Sequence, residues 1–124
     1  MTNLILEMKN ITNLKQGNTW VNKDEITIGD WSIDTINEDI ILSFHENFRT
    51  PNGPDLKLFL SLSDINNIGV HESIQDDGLY LDELKVVEGK QEYSLPEKGV
   101  LSKYKSLVIH CEKYTVVWGG IDIK

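Results

Sequence analysis

The feature that most constrains this chain is a series of short segments in which apolar and polar residues alternate, each closed by Gly, Asn, Asp or Pro. Asp39–Phe44 (DIILSF) sets Ile40, Leu42 and Phe44 on one face. Leu56–Leu60 (LKLFL) sets Leu56, Leu58 and Leu60 on one face, with Lys57 and Phe59 opposite. Glu25–Ile33 alternates through Ile26 and Ile28 and breaks at Gly29-Asp30. Leu84–Val87 and Gln91–Leu95 follow, split by Glu88-Gly89-Lys90, and Leu107–Cys111, Thr115–Trp118 and Gly120–Lys124 complete the set. A period of two is that of a half-buried strand, and no window of a dozen residues keeps the 3.6-residue period of a helix. The pattern predicts an all-β chain, a single-domain antiparallel β-sandwich or barrel-like fold over residues 1–124, with Leu58, Ile109 and Val116 or Val117 inside. The competing arrangement is an α+β domain with a helix over Met1–Leu14, where Leu4, Leu6 and Met8 also alternate.

A chain of 124 residues suits one domain with a core of its own. Its formal net charge of -8 opposes phosphate backbones and anionic lipid, so nucleic acid and membrane surfaces are poor partners. No apolar run has the length of a membrane-spanning helix. Met1–Asn10 lacks the basic start and apolar centre of a signal peptide, so the chain as given reads as cytoplasmic, or as extracytoplasmic if a leader has been trimmed. One cysteine excludes an internal disulfide. Asp64–Asp82 is the one long connection with little periodicity.

That cysteine, Cys111, follows His110 within Leu107–Cys111. In a strand Leu107, Ile109 and Cys111 share one face and Val108, His110 and Glu112 the other, so Cys111 is expected to face the core and His110 the solvent. Adjacent strand residues cannot easily meet one metal ion, and His45 and His71 stand alone, so no metal site is expected. The same geometry opposes Cys–His nucleophilic catalysis, and no phosphate loop or nucleophile elbow is present. Asn52-Gly53-Pro54-Asp55 reads as a tight turn, with Gly53 supplying positive φ, Pro54 a fixed φ and Asp55 a cap for backbone amides. Glu38-Asp39 and Asp76-Asp77 lack the spacing of a calcium loop. Trp20, Trp31 and Trp118 suit core or rim anchors.

Together these segments resemble the DM-thirteen domain, the electron-transfer module found beside DOMON domains in Skeletor-type proteins and alone in many bacterial proteins. Phe48, Asn52-Gly53-Pro54-Asp55-Leu56 and Leu60-Ser61 are similar to its opening half. Leu84-Lys85, Gly89, Gln91, Tyr93 and Leu95-Pro96 are similar to its middle, and Tyr104, Ser106, Val108-Ile109, Cys111, Tyr114, Val116 and Gly119 to its close. The resemblance spans about residues 12–123 and implies a β-sandwich-like domain whose cysteine acts in redox, as a free thiol or by holding a prosthetic group such as haem. Cys111 is then the redox and cofactor-binding candidate. His110, standing where the family has tryptophan, is a weaker second ligand. A protein or small-molecule redox partner is implied and no turnover enzyme; the cofactor and oligomeric state stay open. The alternative is a binding or adhesion module in which Cys111 is a core residue. The redox reading and the inward-facing sulfur are reconciled if Cys111 is partly buried at the mouth of a cleft beneath the Asp64–Asp82 loop.

Overall fold

A computed structural model describes residues 10–74, 78–96 and 99–124. Among the described residues nine strands form two antiparallel sheets. The strands are β1 (Ile11–Gly17), β2 (Val21–Asn22), β3 (Trp31–Ile36), β4 (Asp39–Phe44), β5 (Leu56–Ser61), β6 (Leu79–Glu83), β7 (Gln91–Leu95), β8 (Ser106–Cys111) and β9 (Val116–Asp122). One sheet runs β1-β3-β4-β7 and the other β2-β9-β8-β5-β6. They pack as a sandwich, with a short helix, α1 (Gly99–Lys103), before β8. No described helix is long and apolar enough to cross a membrane.

The alternation in β4 and β5 sets their faces as expected. Ile40, Leu42 and Phe44 join Leu56, Leu58 and Leu60 between the sheets. Asn37, in the left-handed region at φ 60°, makes the tight turn that pairs β3 with β4 from Ile36–Asp39 to Trp31–Phe44. Aromatic rings fill one end of the core, with Phe44 stacked on Phe48 at 4.6 Å and edge-on to Trp20 at 5.3 Å.

Several expectations need correction. Ile26 and Ile28 are exposed, and the strand begins only at Trp31, because Gly29 turns the chain at φ 120°. Leu84–Val87 is irregular; the strand lies upstream as β6, of which Leu79–Asp82 fall in the stretch read as a loop. Thr115–Trp118 and Gly120–Lys124 belong largely to one strand. In β9 Val117 pairs with His110 and Gly119 with Ile109, leaving Trp118 as an extra residue. This bulge moves the inward set from Val116 and Trp118 to Ile121 and Ile123, which reads as a break in the sequence. The competing helix is absent where it can be judged: Ile11–Leu14 lie in β1, and Met1–Lys9 fall outside the described residues.

The largest departure is on the outer face of the five-stranded sheet. Ile65, Ile68 and Ile74 from the β5–β6 connection cover Phe59, Val108 and Val117 there, as a second small core. Each such isoleucine contributes about 1.5–3 kcal/mol by leaving water. Val117 therefore lies in this outer core and Val116 in the main one, and both are buried.

Candidate functional site

Cys111 ends β8, paired with Leu56 on one side and Val116 on the other. Its parity with Leu107 and Ile109 turns the thiol between the sheets, where it is fully buried rather than partly so. Sγ donates to the Pro54 carbonyl at 3.0 Å. The Asp64–Asp82 connection does not cover it. The Pro51–Asp55 turn does, and that turn is exposed at Pro51, Asn52, Pro54 and Asp55. The sulfur thus lies one layer beneath the surface.

Three tethers hold the turn down. Trp118 Nε1 donates to the Pro51 carbonyl at 2.9 Å, Cys111 to Pro54, and the Glu112 amide to the Asp55 carbonyl at 3.0 Å. Asn52 Oδ1 accepts from the Gly53 amide at 2.9 Å. The residue at positive φ is Asp55 (φ 60°), not Gly53. Gly53 is required for a different reason: a Cβ there would lie 2.8 Å from Trp118 Cζ2 and 2.9 Å from Cη2. Asp55 caps through its carbonyl, while its carboxylate lies 3.5 Å from Lys57 Nζ.

Beside the turn lies a groove of about 560 Å³ with Gly53, Asp55 and Leu56 on one side and Glu83–Glu88 on the other. Gln91 and Tyr93 shape this second wall. Gln91 Nε2 donates to the carbonyls of Val86 and Gly89, each at 3.0 Å. Tyr93 Oη accepts from the Lys85 amide at 2.8 Å and donates to Gln91 Oε1 at 2.5 Å. Burial pushes the Tyr93 phenol up to about 12, against the opposing pull of the Lys85 amide. Asn52, Gly53 and Asp55 line the groove; Gln91 and Tyr93 brace its second wall from behind, and Cys111 lies beneath the turn through its bond to Pro54. Pro96 is exposed directly after β7 and does not line the groove. The clamp made by Trp118 was not legible, since the bulge that turns its ring under the turn leaves no mark in local sequence.

His110 corrects the expectation of an exposed face. It is 1% exposed, edge-on to Phe59 under the β5–β6 connection. Nε2 lies 2.9 Å from the Glu72 carbonyl and Nδ1 2.7 Å from Glu112 Oε1. It anchors that connection, which covers the His110 face of the sheet rather than the Cys111 face.

These residues do not fit a haem. Cys111 and His110 project to opposite faces of one sheet, and both are engaged within the protein. An iron at Sγ would have to displace the Pro54 carbonyl and lift the turn. Among the described residues no three of His, Cys, Asp or Glu cluster as metal ligands. Asp39 opens β4 and Glu38 lies in the turn before it, while Asp76-Asp77 fall outside the described residues.

A family model described as Electron transfer DM13 matches residues 10–123. No curated protein and no solved structure matches the chain.

Proposed function

This chain belongs to the electron transfer DM13 family, and from that premise we propose that its redox group is the Cys111 thiol, reached when the Pro51–Asp55 turn lifts. The observation that carries this reading is the contact of Sγ with the Pro54 carbonyl, because it sets the sulfur directly beneath an exposed turn. Lifting the turn breaks three hydrogen bonds and leaves the two sheets paired. Local openings of this size occur well below the free energy of global unfolding.

The chemistry open to a lone thiol is exchange with a disulfide, supplied by a partner protein or a small molecule. Cys111 loses its proton to solvent and its thiolate attacks one partner sulfur. The Cys111–S bond forms, the partner S–S bond breaks, and the second sulfur leaves as a thiolate. One disulfide replaces another: Cys111 is oxidised from the thiol to the disulfide level as the released partner sulfur is reduced to a thiolate, and its fellow partner sulfur stays bonded to Cys111. The groove between Gly53 and Glu83–Glu88 gives the partner a surface beside the opening.

A second reading has its own support: complete burial suits a packing residue, and Cys111 is then part of the core of a binding module. Thiol labelling separates the two. The redox reading expects native Cys111 to react slowly but faster than global unfolding, accelerating as pH rises. Labelling no faster than unfolding, measured on the same sample by urea-jump kinetics, leaves Cys111 as packing. Haem added to the native protein should produce no shifted Soret band, since the sulfur has no open side.

A further inference from the structure

Asn52 is the asparagine of this chain that is followed by glycine; every other asparagine precedes a residue with a side chain. That difference matters for one covalent reaction. A backbone amide nitrogen can attack the carboxamide of the asparagine before it and close a succinimide ring. A side chain on the attacking residue crowds that approach, and glycine leaves it open.

The turn over Cys111 holds the reacting groups together. Gly53 N donates to Asn52 Oδ1 at 2.9 Å, so the carboxamide is folded back onto the nitrogen that would attack it. Asn52 is exposed and lies outside both sheets, which opens the carboxamide to water. Its side chain has no second hydrogen-bond partner among the described residues, so rotation about its own bonds brings Cγ to the nitrogen. The turn is pinned on either side of this pair. The Pro51 carbonyl accepts from Trp118 Nε1 at 2.9 Å and the Pro54 carbonyl from Cys111 Sγ at 3.0 Å.

We propose that Asn52 is a self-modification site: it cyclises with Gly53, opens to isoaspartate, and the lengthened backbone releases the turn from Trp118 and Cys111. The Gly53 nitrogen loses its proton to hydroxide and attacks Asn52 Cγ. The N–Cγ bond forms, the Cγ–Nδ2 bond breaks, and the carboxamide nitrogen leaves as ammonia. Water then opens the ring. Attack at Cγ restores the original main chain and leaves aspartate. Attack at the main-chain carbonyl of residue 52 leaves isoaspartate, whose main chain runs through Cβ and Cγ and is longer by one carbon, about 1.5 Å. No electrons are transferred, and water is the co-reactant. The added carbon falls between the two pinned carbonyls. It cannot be taken up inward, because even a Cβ on Gly53 would lie 2.8 Å from Trp118 Cζ2. It is taken up outward, and the bonds to Pro51 and Pro54 give way. Neither step requires Cys111 to be a redox group; its thiol serves as the reporter of the turn.

The test ages the native protein at mildly alkaline pH, beside Asn52→Gln, which would have to close a larger ring. Peptide mass mapping and enzymatic methylation of isoaspartate should find isoaspartate at position 52 in the wild type and none in the variant. The isoaspartate form, purified by ion exchange, is then labelled with dipyridyl disulfide. Cys111 should react about tenfold faster than in fresh protein, the weight of one lost hydrogen bond. Asn52→Asp, with the same charge and no added carbon, should keep the fresh rate. Urea-jump unfolding of each form separates a lifted turn from a general loss of stability. The proposal is overturned if Asn52 stays intact in the folded protein, or is modified only in the urea-unfolded chain. It is equally overturned if the isoaspartate form labels at the fresh rate, if Asn52→Asp labels as fast as that form, or if faster labelling is matched by equally faster unfolding.

Discussion

Replacing Gly53 by alanine tests how the turn over Cys111 is held. Gly53 is not in the left-handed region, so backbone strain is not the obstacle. The new Cβ would instead meet Trp118 Cζ2 at 2.8 Å and Cη2 at 2.9 Å, with Leu56 Cδ2 at 3.4 Å behind. The ring is rigid and 7% exposed, so either it or the turn must move. Overpacking of this kind costs about 1–3 kcal/mol. Movement also stretches the bond from Trp118 Nε1 to Pro51, adding about 1 kcal/mol. The sum is about 2–4 kcal/mol, or a fall in Tm of roughly 10 °C for a domain of this size. Urea unfolding and thermal circular dichroism measure it. The same substitution in a Trp118→Leu background lacks the clashing ring atoms and should cost about 1–2 kcal/mol less. A loss under about 0.5 kcal/mol in the wild-type background, or equal losses in both, refutes the reasoning.

Two further perturbations follow from the same geometry. The Tyr93 phenol is raised from 10.0 to about 12, so folding favours its protonated form. Its contribution is full below pH 10 and is lost as pH rises from 10 towards 12. Phenolate absorbance should therefore titrate late in the native protein, and Tyr93→Phe should remove this part of the alkaline destabilisation; an unchanged alkaline profile in the variant contradicts it. His110→Ala removes the ring that meets the Glu72 carbonyl, Glu112 and Phe59, and should cost about 2–4 kcal/mol. Hydrogen exchange should rise across 65–74 first; a loss below about 1 kcal/mol, or exchange rising uniformly, argues against the anchor.

The alternation of Asp39–Phe44 and Leu56–Leu60 was enough to set strand, face and core for those segments, because side chains of one strand must divide between water and a single interior. The same parity turned Cys111 inward and separated it from His110 without any knowledge of the fold. The order of motifs from Asn52-Gly53-Pro54-Asp55 to Cys111 was likewise enough to reach the family. Tertiary structure decided the rest. Whether the outer face of β8 meets water depends on where the β5–β6 connection lands, and its isoleucines carry no period of their own. Ile26 and Ile28 alternate as a strand does, yet the turn at Gly29 leaves them outside. The bulge at Trp118 reverses the parity of β9 midway, so a single strand reads as two. Gly53 was recognisable as a turn residue, but its partner is the ring of Trp118, far along the chain and brought there by sheet pairing. Local sequence fixes which way a side chain points relative to its neighbours; only the packed sheets determine what it meets.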